Sequence, residues 1–104
     1  MNMKKSVYFD DYVAEKLRDP EYAAAYLEVA LEEYENDHDP EALMLVLRDL
    51  AKENKGMASL AKNAGLNRES LYKALSGKRM PKFDTLQKII HALGFRFSIV
   101  PLKA

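Results

Sequence analysis

Residues 57–76 read Met57-Ala58-Ser59-Leu60-Ala61-Lys62-Asn63-Ala64-Gly65-Leu66-Asn67-Arg68-Glu69-Ser70-Leu71-Tyr72-Lys73-Ala74-Leu75-Ser76. The spacing predicts two short helices crossing steeply through a tight turn. Such a crossing needs a small residue where the helices touch, a turn residue free to take positive φ, and apolar plugs on both sides. Ala61, Gly65 and Leu66 fill those roles. Asn67 can accept from a free N–H of the next helix, which places that helix at about 68–76. Leu71, Ala74 and Leu75 then share its inner face, while Arg68, Glu69, Tyr72, Lys73 and Ser76 project from the other. Two readings follow: a helix-turn-helix whose polar face reads DNA, or an ordinary αα-hairpin whose outer face is solvated.

Charge is divided along the chain. Residues 1–50 carry five Lys and Arg against thirteen Asp and Glu, a balance of −8, and residues 51–104 carry eleven against three, a balance of +8. A formal net charge of zero conceals two opposite halves. A basic half holding a helix-turn-helix is the electrostatic footprint of a surface that approaches phosphates, whereas an acidic half should face away from them.

With 104 residues, 48% of them hydrophobic, the chain can bury one modest core, so a single domain is expected. The absence of cysteine excludes disulfides, thiolate-ligated zinc and thiol nucleophiles. The N-terminal Lys4-Lys5 pair is followed too soon by acids for a secretory apolar region, and no stretch is long enough to span a bilayer, so the expected location is the cytoplasm.

The remaining elements read as helices with clear punctuation. Asp10 can cap a short first helix that turns Val13 and Leu17 inward, and Asp19-Pro20-Glu21 starts a second with proline at its first position. From Pro20 to about Tyr34 an apolar stripe of Tyr22, Tyr26, Leu27, Ala30, Leu31 and Tyr34 lies largely opposite Glu21, Glu28, Glu32 and Glu35. Asp39-Pro40-Glu41 repeats the start signal. In the helix to about Asn54, Leu43, Met44, Leu45, Val46, Leu47 and Leu50 cover most of the circumference, which demands burial by this chain or a second one. Gly56 reads as that helix's stop. After the basic loop Gly77-Lys78-Arg79-Met80-Pro81-Lys82, Asp84 is the expected cap of a last helix, with Gln87 as capping-box partner and Gly94 as terminator. Phe95-Arg96-Phe97-Ser98-Ile99-Val100 then alternates as a strand does, ahead of Pro101. A lone strand must satisfy its backbone groups elsewhere, with Ser6-Val7-Tyr8-Phe9 or, the favoured choice, with the same strand of another copy.

The run Gly56-Met57, Leu60-Ala61, Gly65-Leu66, Arg68 to Ser76, Pro81, Phe83, Thr85-Leu86 and Ala92-Leu93-Gly94 resembles the probable addiction-module antidote proteins, HigA-like antitoxins with an XRE-type, phage-repressor-like helix-turn-helix. Upstream, Asp10, Asp19 to Tyr22, Tyr26-Leu27 and Leu47-Arg48-Asp49 fit the same pattern, so the likeness covers nearly the whole chain. Asn67 stands where that family more often has Ser, and Lys78-Arg79-Met80 replaces a less basic approach to the proline. The resemblance implies an antitoxin that binds a small RelE/ParE-like (HigB-like) toxin and represses its own operon.

The expected architecture is thus an all-α bundle in one domain, 1–104. It comprises an acidic helical region at 1–55, an XRE-type helix-turn-helix region at 56–94 and a C-terminal strand at 95–101. Expected DNA contacts are Arg68, Glu69, Tyr72 and Lys73 on the recognition helix with Asn67 at its cap. Ser59, Lys62, Lys78, Arg79 and Lys82 are expected on phosphates. Glu28, Glu32, Glu33 and Glu35 are the expected toxin contacts, since RNA-engaging toxins are basic, and Phe95, Phe97 and Ile99 the expected homodimer contacts. His38 and His91 have no ligand partners at metal-site spacing, and Ser59, Ser70 and Ser76 lack a base and a nucleophile elbow, so neither catalysis nor a metal or cofactor is expected. A stand-alone phage-type regulator and a helical interaction adaptor without DNA binding are the alternative functions.

Overall fold

The computed structural model describes residues 12–103. These are helical throughout their ordered elements. Residues 12–16 form α1, followed by α2 (Pro20–Asp37), α3 (Pro40–Glu53), α4 (Gly56–Ala64), α5 (Arg68–Ala74) and α6 (Phe83–Ala92). Asp10 and the Ser6–Phe9 segment lie outside the described residues.

Val13 and Leu17 of the first helical stretch are buried, as their spacing predicts. Asp19 occupies the cap position of α2 without a side-chain bond, and Pro20 takes the first helical position, where its missing N–H costs nothing. The predicted stripe of α2 is the inner one: Leu27 and Ala30 are buried and Tyr22, Tyr26, Leu31 and Tyr34 pack half-buried against the core. α2 runs three residues beyond Tyr34, to Asp37, because the chain turns only at His38. There φ is +57°, and the His38 N–H closes the helix on the Tyr34 carbonyl. Asp39 then caps α3, its carboxylate accepting from the Glu41 N–H at 3.1 Å.

α3 packs against both α2 and α4, and α4 in turn touches α5 and α6. Leu43, Met44, Leu47, Leu50 and Ala51 are at most 1% exposed, so one chain buries most of α3 by itself. Leu45 is the exception to the expected all-round burial, at 48% exposed. The stop at the end of α3 is also not Gly56, which is the first residue of α4. Asn54 supplies the ending instead, its side-chain amide donating to the Leu50 carbonyl at 2.7 Å, and the chain reverses through Lys55 and Gly56, both at positive φ.

α6 starts one residue earlier than its expected cap. Phe83 is already helical and its ring lies 5.2 Å from that of Phe97, so Asp84 falls within the first turn and pairs with Lys88 at 3.4 Å rather than capping. The helix ends as expected. Phe95 N–H donates to Ile90 O at 3.0 Å and Gly94 N–H to His91 O at 2.9 Å, the paired bonds of a Schellman ending, with Gly94 at φ +97°.

Residues 95–103 carry no β ladder, because among the described residues nothing lies alongside them as a second strand. Phe95 and Phe97 instead turn back onto the core, half-buried, whereas Ile99 is 94% exposed. The strand expected at 95–101 is therefore not formed among the described residues.

Candidate nucleic-acid interface

α4 and α5 are joined by three residues, and the turn between them is closed by the same device that ends α6. Leu66 N–H donates to Ala61 O at 2.9 Å and Gly65 N–H to Lys62 O at 3.2 Å, with Gly65 at φ +72°. Ala61 is 2% exposed, as a contact residue between crossing helices should be. Asn67 accepts from the Ser70 N–H at 2.7 Å, so it caps α5 as its position predicts. The helix is shorter than expected, ending at Ala74 rather than about Ser76, since Leu75 acts as its C-cap.

The inner face of α5 is Leu71, followed by Leu75, both 0% exposed. Its outer face is Arg68, Glu69, Tyr72 and Lys73, all exposed. Arg68 lies along Tyr72, one turn further on: its Nη2 donates to the Tyr72 hydroxyl at 3.2 Å and its guanidinium carbon is 5.7 Å from the ring centroid. Tyr72 thus acts as a rest that holds the guanidinium on the outer face, with its other donors turned to solvent. Glu69 makes no ion pair with Arg68 or Lys73, so of its two expected roles, accepting from cytosine or orienting Arg68, the second falls to Tyr72.

The flanking cations expected on phosphates lie on the surface. Lys62 on α4 and Lys78, Arg79 and Lys82 in the loop before α6 are all exposed. Half-buried Met80 packs against the core, and the Lys78 N–H donates to Ser76 Oγ at 3.3 Å, which together anchor that loop. Ser59 is half-buried, and Asn63 Nδ2 donates to its oxygen at 3.5 Å, which leaves the hydroxyl proton for an acceptor outside.

One residue of this region escapes sequence inspection. Arg48, on α3, reaches the far end of α5, where Nη1 donates to the Leu75 carbonyl. Carbonyls at a helix C-terminus lack intrahelical donors and carry partial negative charge, so a guanidinium there satisfies both needs. Gly77 reinforces the junction, sitting so close to α3 that a Cβ added to it would lie 3.5 Å from the Glu41 Cα. α5 is therefore fixed at its start by Asn67 and at its end by α3. Arg48→Ala is expected to lower stability by about 1.5 to 3 kcal/mol, the range of hydrogen bonds to charged groups. Urea melts check this; an unchanged midpoint would contradict the role.

The acidic counterpart lies on α2, where Glu28, Glu32, Glu33 and Glu35 are all exposed, with Val29, 53% exposed, among them. Of the expected dimer residues, Phe95 and Phe97 flank a groove beside α2 and Ile99 projects beyond it. His38 and His91 are exposed; among the described residues no buried side chain is polar, and no three His, Cys, Asp or Glu are grouped to hold a metal.

A family model described as probable addiction module antidote protein matches residues 6–101. The chain belongs to that family. An antidote takes its meaning from a cognate toxin, so membership implies a toxin-binding role. The antidote chain is also 38% identical over 87 residues to an uncharacterized protein of Haemophilus influenzae (strain ATCC 51907 / DSM 11121 / KW20 / Rd), a match covering 84% of each chain. No solved structure is a significant match. No helix among the described residues of the antidote chain is long and apolar enough to cross a membrane.

Proposed function

We propose that this chain is the antitoxin of a type II toxin–antitoxin module, a cytoplasmic homodimer that neutralises a RelE/ParE-like toxin by direct binding and represses its own operon through an XRE-type helix-turn-helix. The observation that carries the DNA-reading half is the exposed face of α5. An apolar inner row is locked into the core while Arg68, Tyr72 and Lys73 stand outward on a helix fixed at both ends. A merely solvated hairpin has no need of an arginine laid along a tyrosine, nor of three cations in the adjoining loop. One such helix covers only a few base pairs, so two copies bind half-sites about 10 base pairs, roughly 34 Å, apart. Lys62, Lys78, Arg79 and Lys82, with the Ser59 hydroxyl, contact phosphates, while Arg68, Glu69, Tyr72, Lys73 and Asn67 face the bases.

The toxin-binding half uses the outer face of α2. Glu28, Glu32 and Glu35 recur at helical spacing with Glu33 beside them, and Val29 offers an apolar contact among the charges. Such a surface complements a basic partner and speeds its encounter. Growth rescue tests the proposal: the chain is co-expressed with the product of the adjacent open reading frame. Restored growth and co-purification are expected, and Glu33→Lys with Glu35→Lys, two exposed positions of α2 away from the groove beside the C-terminal segment, should weaken both while operator binding persists. Full rescue by that double variant would remove α2 from the toxin interface, and a harmless neighbour with intact operator binding would favour a stand-alone regulator.

A further inference from the structure

The homodimer of the proposed function leaves open which backbone groups join the copies, and the C-terminal segment answers that. Phe95 has already given its N–H to Ile90, and Pro101 has none to give. Between them, the backbone of residues 96–100 makes no hydrogen bond among the described residues. Ile99, Val100 and Leu102 are 94%, 72% and 93% exposed. A run of unpaired backbone carrying exposed apolar side chains is a template for another strand.

Beside it lies the surface that such a strand would cover. A groove of about 250 Å3 runs between α2 and the segment, lined by Ala24, Leu27, Leu31, Ile90, Phe95 and Phe97, with Glu28 at its rim and Glu32 one turn along α2. The chain from residue 85 onward has no acid and carries Arg96 and Lys103 around the apolar run. Acidic rim and basic, apolar tail are complementary, and both are present on every copy. That is the condition for an isologous interface.

We infer that two copies pair through residues 96–100 as an antiparallel ribbon centred on Ser98, each tail lying along the other's groove. The register follows from the ends. The pairable stretch stops at Phe95 on one side and Pro101 on the other, so its midpoint is Ser98. Phe97 then stands opposite Ile99 of the partner subunit, an aromatic and β-branched pair on one face of the ribbon. That face is the one turned toward Phe83, whose ring is 63% exposed and tilted onto Phe97. The partner's Ile99 covers both rings. A two-stranded ribbon is marginal alone, so burial in the groove is what holds it.

The absence of cysteine from the chain makes a clean test. The full-length Ser98→Cys protein, treated with diamide as oxidant, is expected to form a disulfide-linked dimer, because residues opposite one another at the centre of an antiparallel pair have Cα atoms about 4.5 to 5.5 Å apart, within disulfide reach. Lys52→Cys, on the far helix α3, is expected to remain uncrosslinked. In sedimentation, Ile99→Asp should raise the dimer dissociation constant at least about tenfold, since a carboxylate would be buried against two rings, while the helical circular dichroism is unchanged. If the Ser98→Cys protein dimerises but does not crosslink, the ribbon is overturned and the homodimer itself stands. A monomer at every concentration would overturn both. If Ile99→Asp spares self-association but abolishes co-purification of the toxin, the groove is the toxin's and the inference is wrong. Loss of operator binding with crosslinking intact would instead count against the DNA-reading proposal alone.

Discussion

Arg68→Ala is expected to cost about 1 to 3 kcal/mol per half-site on the operator, roughly 5- to 150-fold in affinity, with little loss on random DNA. Arg68 is exposed on the outer face of α5 and its guanidinium lies along Tyr72, a contact that restricts the conformations open to it. That lowers the entropy cost of a bidentate base contact. Because Arg68 supports no buried structure, folding stability should barely change. Lys78→Ala or Lys82→Ala should behave in the opposite way. Both cations stand in the loop between α5 and α6, so removing either should weaken operator and random DNA by similar factors. The slope of log K against log salt should then become shallower by about 0.9 for each phosphate no longer neutralised, or twice that in a symmetric dimer. Titrations of the variants on both DNAs at several salt concentrations separate the two kinds of interaction. Equal weakening on both DNAs for Arg68→Ala would remove it from base readout.

Leu47→Ala should give the largest change in stability, about 2 to 5 kcal/mol, taken from a total that for such a domain is only about 5 to 15. Leu47 is 0% exposed on α3, the helix packed between α2 and α4, so its truncation leaves a cavity that rigid neighbours on two sides cannot close. Leu45, two residues earlier, supplies the internal comparison. It is 48% exposed, and Leu45→Ala should shift stability by no more than about 0.5 kcal/mol in a single chain. Denaturant midpoints for the pair test which face of α3 is the inner one. If Leu45→Ala proved as damaging as Leu47→Ala, a second protein surface would have to cover that face.

Much of this fold is legible in the sequence, because its helices are punctuated by residues with few alternatives. Pro20 and Pro40 mark helix starts, Asn67 caps α5, and Gly65 and Gly94 terminate α4 and α6 at positive φ, all as expected. The misses share a cause. His38 reverses the chain at positive φ without being glycine, and at the next reversal Lys55 takes positive φ beside Gly56, so the glycine there opens α4 rather than closing α3. Phe83 enters α6 early because it meets Phe97, fourteen residues further on. Arg48 binds the end of α5 across 27 residues, and nothing in local periodicity reports such a bond. For the candidate interface, exposure of Arg68 and Lys73 on α5 followed from helical spacing, but the resting of Arg68 on Tyr72 needed the side-chain geometry. The expected strand at 95–101 is of another kind, since its signal is real in the alternation while its partner is not within the described chain.

The central claim, that the outer face of α5 reads an operator as one half of a dimer, is tested most directly by footprinting the full-length protein on the DNA upstream of its own gene at near-physiological salt. The expected result is protection of a two-fold symmetric segment with half-sites about 10 base pairs apart. Protection should appear at protein concentrations at least about a thousandfold below those needed for unrelated DNA, and be abolished by Arg68→Ala. Binding of the upstream segment no tighter than unrelated DNA would contradict the account, and so would protection that Arg68→Ala leaves intact.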